Sequence, residues 1–98
     1  VLQCAGIVLD ENRQTVTCRG RTVGLGQLEY QLLRLLLQNK GRTVTRRQLL
    51  ETLWDCNGRF VNDNTLTVTM KRLREKLGQP DCLKTIRSFG YRMEEEPW

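Results

Sequence analysis

Apolar residues change their spacing several times along this chain. In the first quarter, Val1 to Cys4, Gly6 to Leu9, Thr15 to Cys18 and Arg21 to Val23 carry β-branched residues in partial alternation. The turn formers Asp10-Glu11-Asn12 and Arg19-Gly20 separate them, so residues 1–24 are predicted to form a small antiparallel sheet. From Gly26 to Lys40 the period becomes helical, with Leu28, Leu32, Leu35 and Leu36 on one stripe, Gly26 placed to be the N-cap, Glu29 at N3 and Gly41 as the stop. Thr45-Arg46-Arg47-Gln48 has the form of a capping box ahead of Leu49, Leu50, Leu53 and Trp54, which predicts a second helix ending near Trp54. Residues 55–61, with Asn57-Gly58 inside them, read as a loop. A third helix is predicted from Asn62 or Asn64 to Leu77, because Leu66, Met70, Leu73 and Leu77 recur at helical intervals before Gly78 and Pro80. Leu83 to Arg87 and Tyr91 to Met93, joined by Ser88-Phe89-Gly90, predict a hairpin. The expected fold is one α+β domain over residues 1–98: an antiparallel sheet (1–24), a three-helix core (26–77) and a C-terminal β-hairpin (83–93).

The composition, 39% apolar and 28% charged over 98 residues, is that of an ordinary globular domain with one modest core. No run approaches the roughly 18 to 20 apolar residues that span a bilayer, and Val1-Leu2-Gln3-Cys4 has neither a basic nor a hydrophobic leader segment. A soluble, cytoplasmic protein without a membrane partner is expected. The start in strand-like sequence without Met suggests a piece of a longer protein with a partner domain. Cys4, Cys18, Cys56 and Cys82 show no CxxC spacing and histidine is absent, so neither a metal nor a cofactor is expected and the cysteines should be reduced thiols. A Cys4–Cys18 bridge between neighbouring strands is the one pairing to check.

Charge refines this picture once it is located. Residues 1–40 carry a net +2, residues 41–92 a net +6, and Glu94 to Glu96 contribute −3 to a total of +5. On a helical projection with Leu66 pointing to the core, Asn64, Val68, Lys71, Arg72 and Glu75 lie between about 140° and 240°, with Thr65 and Thr69 at the flank. Those side chains suit base edges and phosphates, although an amphipathic surface helix with a solvated face has the same pattern. The hairpin adds Lys84, Arg87 and Arg92. A helix in the major groove and a hairpin over the adjacent minor groove would bring both sets of cations to one duplex. Trp54 and the leucine stripes are expected in the core, with Trp54 also bordering a DNA backbone. Phe89 and Tyr91 are expected to brace the hairpin, and Glu94 to Glu96 to form a solvated tail.

The series Leu28-Glu29-Tyr30-x-Leu32-Leu33, Val44-Thr45-Arg46, Leu49-Leu50-x-x-Leu53-Trp54, Thr65-Leu66-x-Val68, Arg72-Leu73-Arg74-x-Lys76-Leu77 and Thr85-Ile86-Arg87-x-x-Gly90-Tyr91-Arg92 resembles the C-terminal effector domain of OmpR/PhoB-type response regulators over essentially the whole chain. The resemblance implies a winged helix-turn-helix with a four-stranded N-terminal sheet, the third helix as recognition helix and the hairpin as wing. It implies duplex-DNA contacts at Asn64, Thr65, Val68, Thr69, Lys71, Arg72 and Thr85, with Arg74 and Arg46 on phosphate, assisted by amides at the start of the second helix, and Arg87 in the minor groove. The loop between the second and third helices, here Asp55, Asn57, Gly58 and Arg59, would touch RNA polymerase. Two departures stand out. Gly24 and Gly26 replace a bulkier residue and a Ser or Thr cap, weakening the start of the first helix. Ser88 replaces a frequent glycine in the wing turn.

An enzyme is disfavoured by the absence of histidine, of a phosphate-cradling glycine loop and of a carboxylate pair in an evident pocket. The better rival is a winged-helix protein-interaction or RNA-binding module, since fold does not fix function. By resemblance the expected function is sequence-specific DNA binding in the output domain of a bacterial two-component regulator. Phosphorylation of an N-terminal receiver domain would promote dimerisation on repeated half-sites and recruitment of RNA polymerase in the nucleoid.

Overall fold

A computed structural model of the chain describes residues 1–58, 62–80 and 82–94. Strands β1 (Leu2–Cys4), β2 (Ile7–Asp10), β3 (Thr15–Cys18) and β4 (Arg21–Val23) form an antiparallel meander in sequence order. Its alternation buries Cys4, Ile7, Leu9 and Val16 on one face. Ile7 pairs with Cys4 on one side and with Cys18 on the other. The two cysteines are therefore two strand spacings apart, about 10 Å, too far for a disulfide, and Cys4, Cys18 and Cys82 are all thiols. Burial pushes the Cys82 thiol up, away from the reactive thiolate.

Three helices follow: α1 (Gln27–Gln38), α2 (Arg46–Asn57) and α3 (Asp63–Lys76). Leu32, Leu33 and Leu36 of α1 meet Leu49 and Leu53 of α2 and Leu66, Met70 and Leu73 of α3 in one core. The buried stripe of α1 is centred differently from the expected one: Leu33 and Leu37 are buried, and Leu28 and Leu35 only partly so. A glycine cap leaves α1 without a side-chain cap, yet Glu29 Oε1 accepts from the Gly26 amide at 2.9 Å and from Lys76 Nζ of α3 at 2.6 Å. Burial would raise the Glu29 carboxyl, but these hydrogen bonds and the charges of Lys76 and Arg72 outweigh it and hold the pKa below the ordinary value. The weak cap is thus offset by an ion pair tying α1 to the end of α3.

The segment between α1 and α2 is a strand rather than a plain link. β5 (Thr43–Thr45) pairs with β7 (Gly90–Met93), which pairs with β6 (Leu83–Ile86), giving a three-stranded sheet in the order β5-β7-β6. Thr45 ends the strand and caps α2, accepting from the Gln48 amide while Gln48 Oε1 accepts from the Thr45 amide. α2 then runs to Asn57, beyond the expected end at Trp54, because Gly58 at φ +69° supplies a left-handed C-cap and donates to the Trp54 carbonyl. Asp55 and Asn57 accordingly lie in α2 and not in a loop, and Arg59 falls outside the described residues. Trp54 is half exposed, on the solvent side of α2 rather than in the core.

Candidate nucleic-acid interface

Helix α3 starts where Asn62 accepts from the Thr65 amide at 2.8 Å, and carries Arg74 and Lys76 in its last turn. Its core side is Leu66, Thr69, Met70 and Leu73. The opposite side exposes Asn64, Val68, Lys71, Arg72 and Glu75, with Thr65 half exposed. Thr69, expected at the DNA, is instead buried: about 60° from Leu66 on the helix it falls inside the core stripe, 6% exposed, and cannot reach a groove. None of the ion pairs among the described residues uses Lys71, Arg72 or Arg87. All three are exposed, so their charge faces solvent.

The other expected contacts are engaged within the protein. Arg46, in the first turn of α2, donates to the Asp63 carbonyl at 3.1 Å and the Thr67 hydroxyl at 3.0 Å on α3, and to the Tyr91 hydroxyl at 3.3 Å on β7. Its Nε lies 3.4 Å from Asp63 Oδ1. Its backbone amide donates to the Phe89 carbonyl in the wing turn at 3.0 Å, and the Gln48 amide is taken by Thr45. Two donors of the α2 N-terminus are therefore already satisfied. Arg74 lies over the Tyr91 ring, 5.4 Å from its centroid, and donates to the Thr85 hydroxyl on β6. Thr85 and Tyr91 are register partners, so the wing turns this face toward α3. Arg87 follows two residues after Thr85 and is exposed at the turn.

The rest of the wing departs from expectation in three places. Arg92 is turned away from α3, with Nη1 donating to Thr43 and Nε 3.0 Å from Glu94. Glu94 is anchored by that contact and by its amide bond to the Cys82 carbonyl, so it is not tail; residues 95–98 lie outside the described residues. Phe89 is 66% exposed and holds the turn through its backbone rather than its ring, whereas Tyr91 is buried. Ser88 adopts φ +69°, a left-handed conformation that favours glycine. Network contacts at Arg46, Tyr91 and Arg74 join elements far apart in sequence, and the only signal for them was the arginine-tyrosine composition of the motifs.

Among the described residues no group of three or more histidine, cysteine or acidic side chains is placed to hold a metal, and no helix is long and apolar enough to cross a membrane. A helical core whose last helix exposes a basic face beside a β-hairpin carrying Arg87 defines the winged helix-turn-helix class. Residues 20–93 match the family model described as "Transcriptional regulatory protein, C terminal", and the chain belongs to that family, the effector domains of OmpR/PhoB-type response regulators. It is 41% identical over 93 residues to the transcriptional regulatory protein CutR of Streptomyces coelicolor, covering 95% of this chain and 42% of that protein. The chain therefore spans under half the length of that relative. Among solved structures, the DNA-binding domain of CpxR from E. coli superposes with a TM-score of 0.80 at 30% identity, covering 96% of this chain and 95% of that one. The Klebsiella pneumoniae RstA DNA-binding domain, solved in complex with the RstA box, gives a TM-score of 0.80 at 26% identity, with 95% of each chain covered.

Proposed function

We propose that this domain binds duplex DNA in a sequence-specific manner, with α3 in the major groove and the wing over the adjacent minor groove. The observation that carries the reading is the exposed triad Lys71, Arg72 and Arg87, cations on two neighbouring elements that take part in none of the ion pairs among the described residues. Asn64, Thr65 and Val68 share the exposed side of α3 with Lys71 and Arg72 and are the base readers, with Arg87 directed to the minor groove. The CpxR and RstA domains supply the precedent, the latter on its box. In the longer protein, phosphorylation of a receiver domain drives dimerisation on repeated half-sites in the bacterial cytoplasm. The C-terminal end of α2, with Asp55, Asn57 and Gly58, is the surface for RNA polymerase; Arg59, expected to join it, lies outside the described residues.

The test is a titration of a labelled duplex selected from a random pool, with random duplex and structured RNA as competitors. The reading expects retention against RNA and preference for the selected duplex over random sequence by at least about 10³-fold. Equal competition by RNA would favour the rival RNA-binding function, and no binding to any duplex would favour the protein-interaction module.

A further inference from the structure

Arg46, Arg74, Thr67, Thr85 and Tyr91 form one contact network that spans α2, α3 and both strands of the wing. Tyr91 is its centre. One guanidinium rests on the face of its ring and the other donates to its hydroxyl, while the ring itself is 6% exposed and packed into the core. Arg46 closes the circuit from the other end by donating to the Asp63 carbonyl in the first turn of α3 and, through its amide, to the wing turn at Phe89. The wing is thereby fastened to the beginning of α3 through Arg46 and to its last turn through Arg74.

Two fastenings at opposite ends of a helix fix both the separation and the tilt of the wing relative to it. The cation-π contact and the Arg46–Tyr91 hydrogen bond bear on a buried ring, while the bonds of Arg46 to Thr67 and of Arg74 to Thr85 lie at the surface. Arg46 and Arg74 are each half-buried, and their guanidinium groups already hold protein partners. Resting on the DNA-binding reading above, the geometry points to Arg46 and Arg74 as positioning residues acting through Tyr91. The clasp sets one distance between the major-groove readers of α3 and Arg87. The domain therefore selects duplexes in which a base-specific element and a narrow minor groove occur at one fixed spacing. Preorganisation of this kind turns two weak elements into a single ruler, because a duplex with the wrong spacing can satisfy only one of them.

The experiment compares the selected duplex with versions carrying one base pair inserted or deleted between the segments protected by α3 and by the wing. Wild type is expected to lose about tenfold in affinity on either change, the size of one lost minor-groove contact. Tyr91→Phe removes the hydroxyl that accepts from Arg46 and Thr85→Val the hydroxyl that accepts from Arg74, while the bonds of Arg46 to Asp63 and Thr67 and the contact of Arg74 with the residue 91 ring remain. Each should shrink the spacing penalty to about two- to threefold while leaving the slope of log K against log salt unchanged, since no cation is lost. A spacing penalty that stays tenfold in both variants overturns the clasp. So does a slope that falls by about 0.9 in Arg46→Gln and in Arg74→Gln, because each would then be a phosphate contact. An independent measurement needs no DNA: backbone residual dipolar couplings of α3 and of β6–β7 should fit one alignment tensor in wild type and two in the Tyr91→Phe, Thr85→Val double variant. One tensor in both proteins overturns the clasp even if the domain binds no duplex, whereas two tensors in a domain that binds no duplex leave the clasp standing and sink the DNA-binding reading alone.

Discussion

Gly90 of β7 lies tight against the backbone of β5, and Gly90→Ala tests how that junction is built. Its φ is not in the left-handed region, so alanine meets no backbone penalty there. The obstacle is steric: a Cβ at this position would lie 2.0 Å from the Val44 carbonyl oxygen and 2.9 Å from Thr45 Cα, both backbone atoms that cannot rotate away. Contacts under 3.0 Å are essentially never seen for a real Cβ, so β5 and β7 must part by about 1 Å. That movement breaks the Thr45–Gly90 pairing and strains the Arg46 amide bond to Phe89. Two or three hydrogen bonds at about 1 kcal/mol each, with about 1 to 3 kcal/mol of overpacking strain, give a loss of about 3 to 6 kcal/mol. Against a domain stability of about 5 to 10 kcal/mol, this lowers Tm by roughly 20 °C. Thermal and urea unfolding followed by circular dichroism reads the change. Gly20→Ala is the control: φ is +83° and the position is open to solvent, so only the left-handed conformation is penalised, at about 1 kcal/mol. A Gly90→Ala loss no larger than that of Gly20→Ala would refute the close-approach argument.

Three further outcomes follow from the same geometry. Glu29→Gln should lower stability by about 1 kcal/mol at pH 7, discounted for the half-exposed Lys76. The folded carboxyl titrates below its unfolded value, so wild type holds this advantage above about pH 4.3 and loses it as pH falls through the folded pKa. Urea midpoints of the two proteins should therefore converge in acid, and a gap constant from pH 7 to pH 2.5 would contradict the assignment. Ser88→Gly should raise stability by about 0.5 to 1 kcal/mol by relieving the left-handed conformation at φ +69°, visible as a Tm increase of a few degrees. Arg72→Ala should weaken binding to the selected duplex by about 1 to 3 kcal/mol and to random duplex far less, and equal losses on both would exclude base reading at that position.

Most of the architecture was legible from local pattern, and the gaps have local causes. Alternation located the four strands of the first sheet to within a residue or two, and the Thr45–Gln48 capping box placed the start of α2. The strand Thr43–Thr45 was hidden because three residues carry too little periodicity, and its identity depends on a partner more than forty residues away. The end of α2 was misread because apolar spacing stops at Trp54, whereas the helix is held open to Asn57 by a left-handed glycine. Trp54 itself shows that a large apolar residue at helical spacing need not be core. At the interface, projection of α3 identified the exposed cations and failed at Thr69, whose flank position turns inward. The engagement of Arg46 and Arg74 with Tyr91 could not be read from spacing at all, since the contacts span 45 and 17 positions.

The proposed DNA binding depends on the electrostatic use of three exposed cations from two elements. It is tested most directly by measuring the salt dependence of binding to the selected duplex for wild type and for the Lys71→Ala, Arg72→Ala, Arg87→Ala triple variant. With about five phosphates neutralised, wild type should give a slope of log K against log salt near −4.5, and the triple variant should be shallower by about 2.7 if each cation accounts for one phosphate. A wild-type slope near zero, or a triple variant with the same slope as wild type and the same affinity, would contradict it.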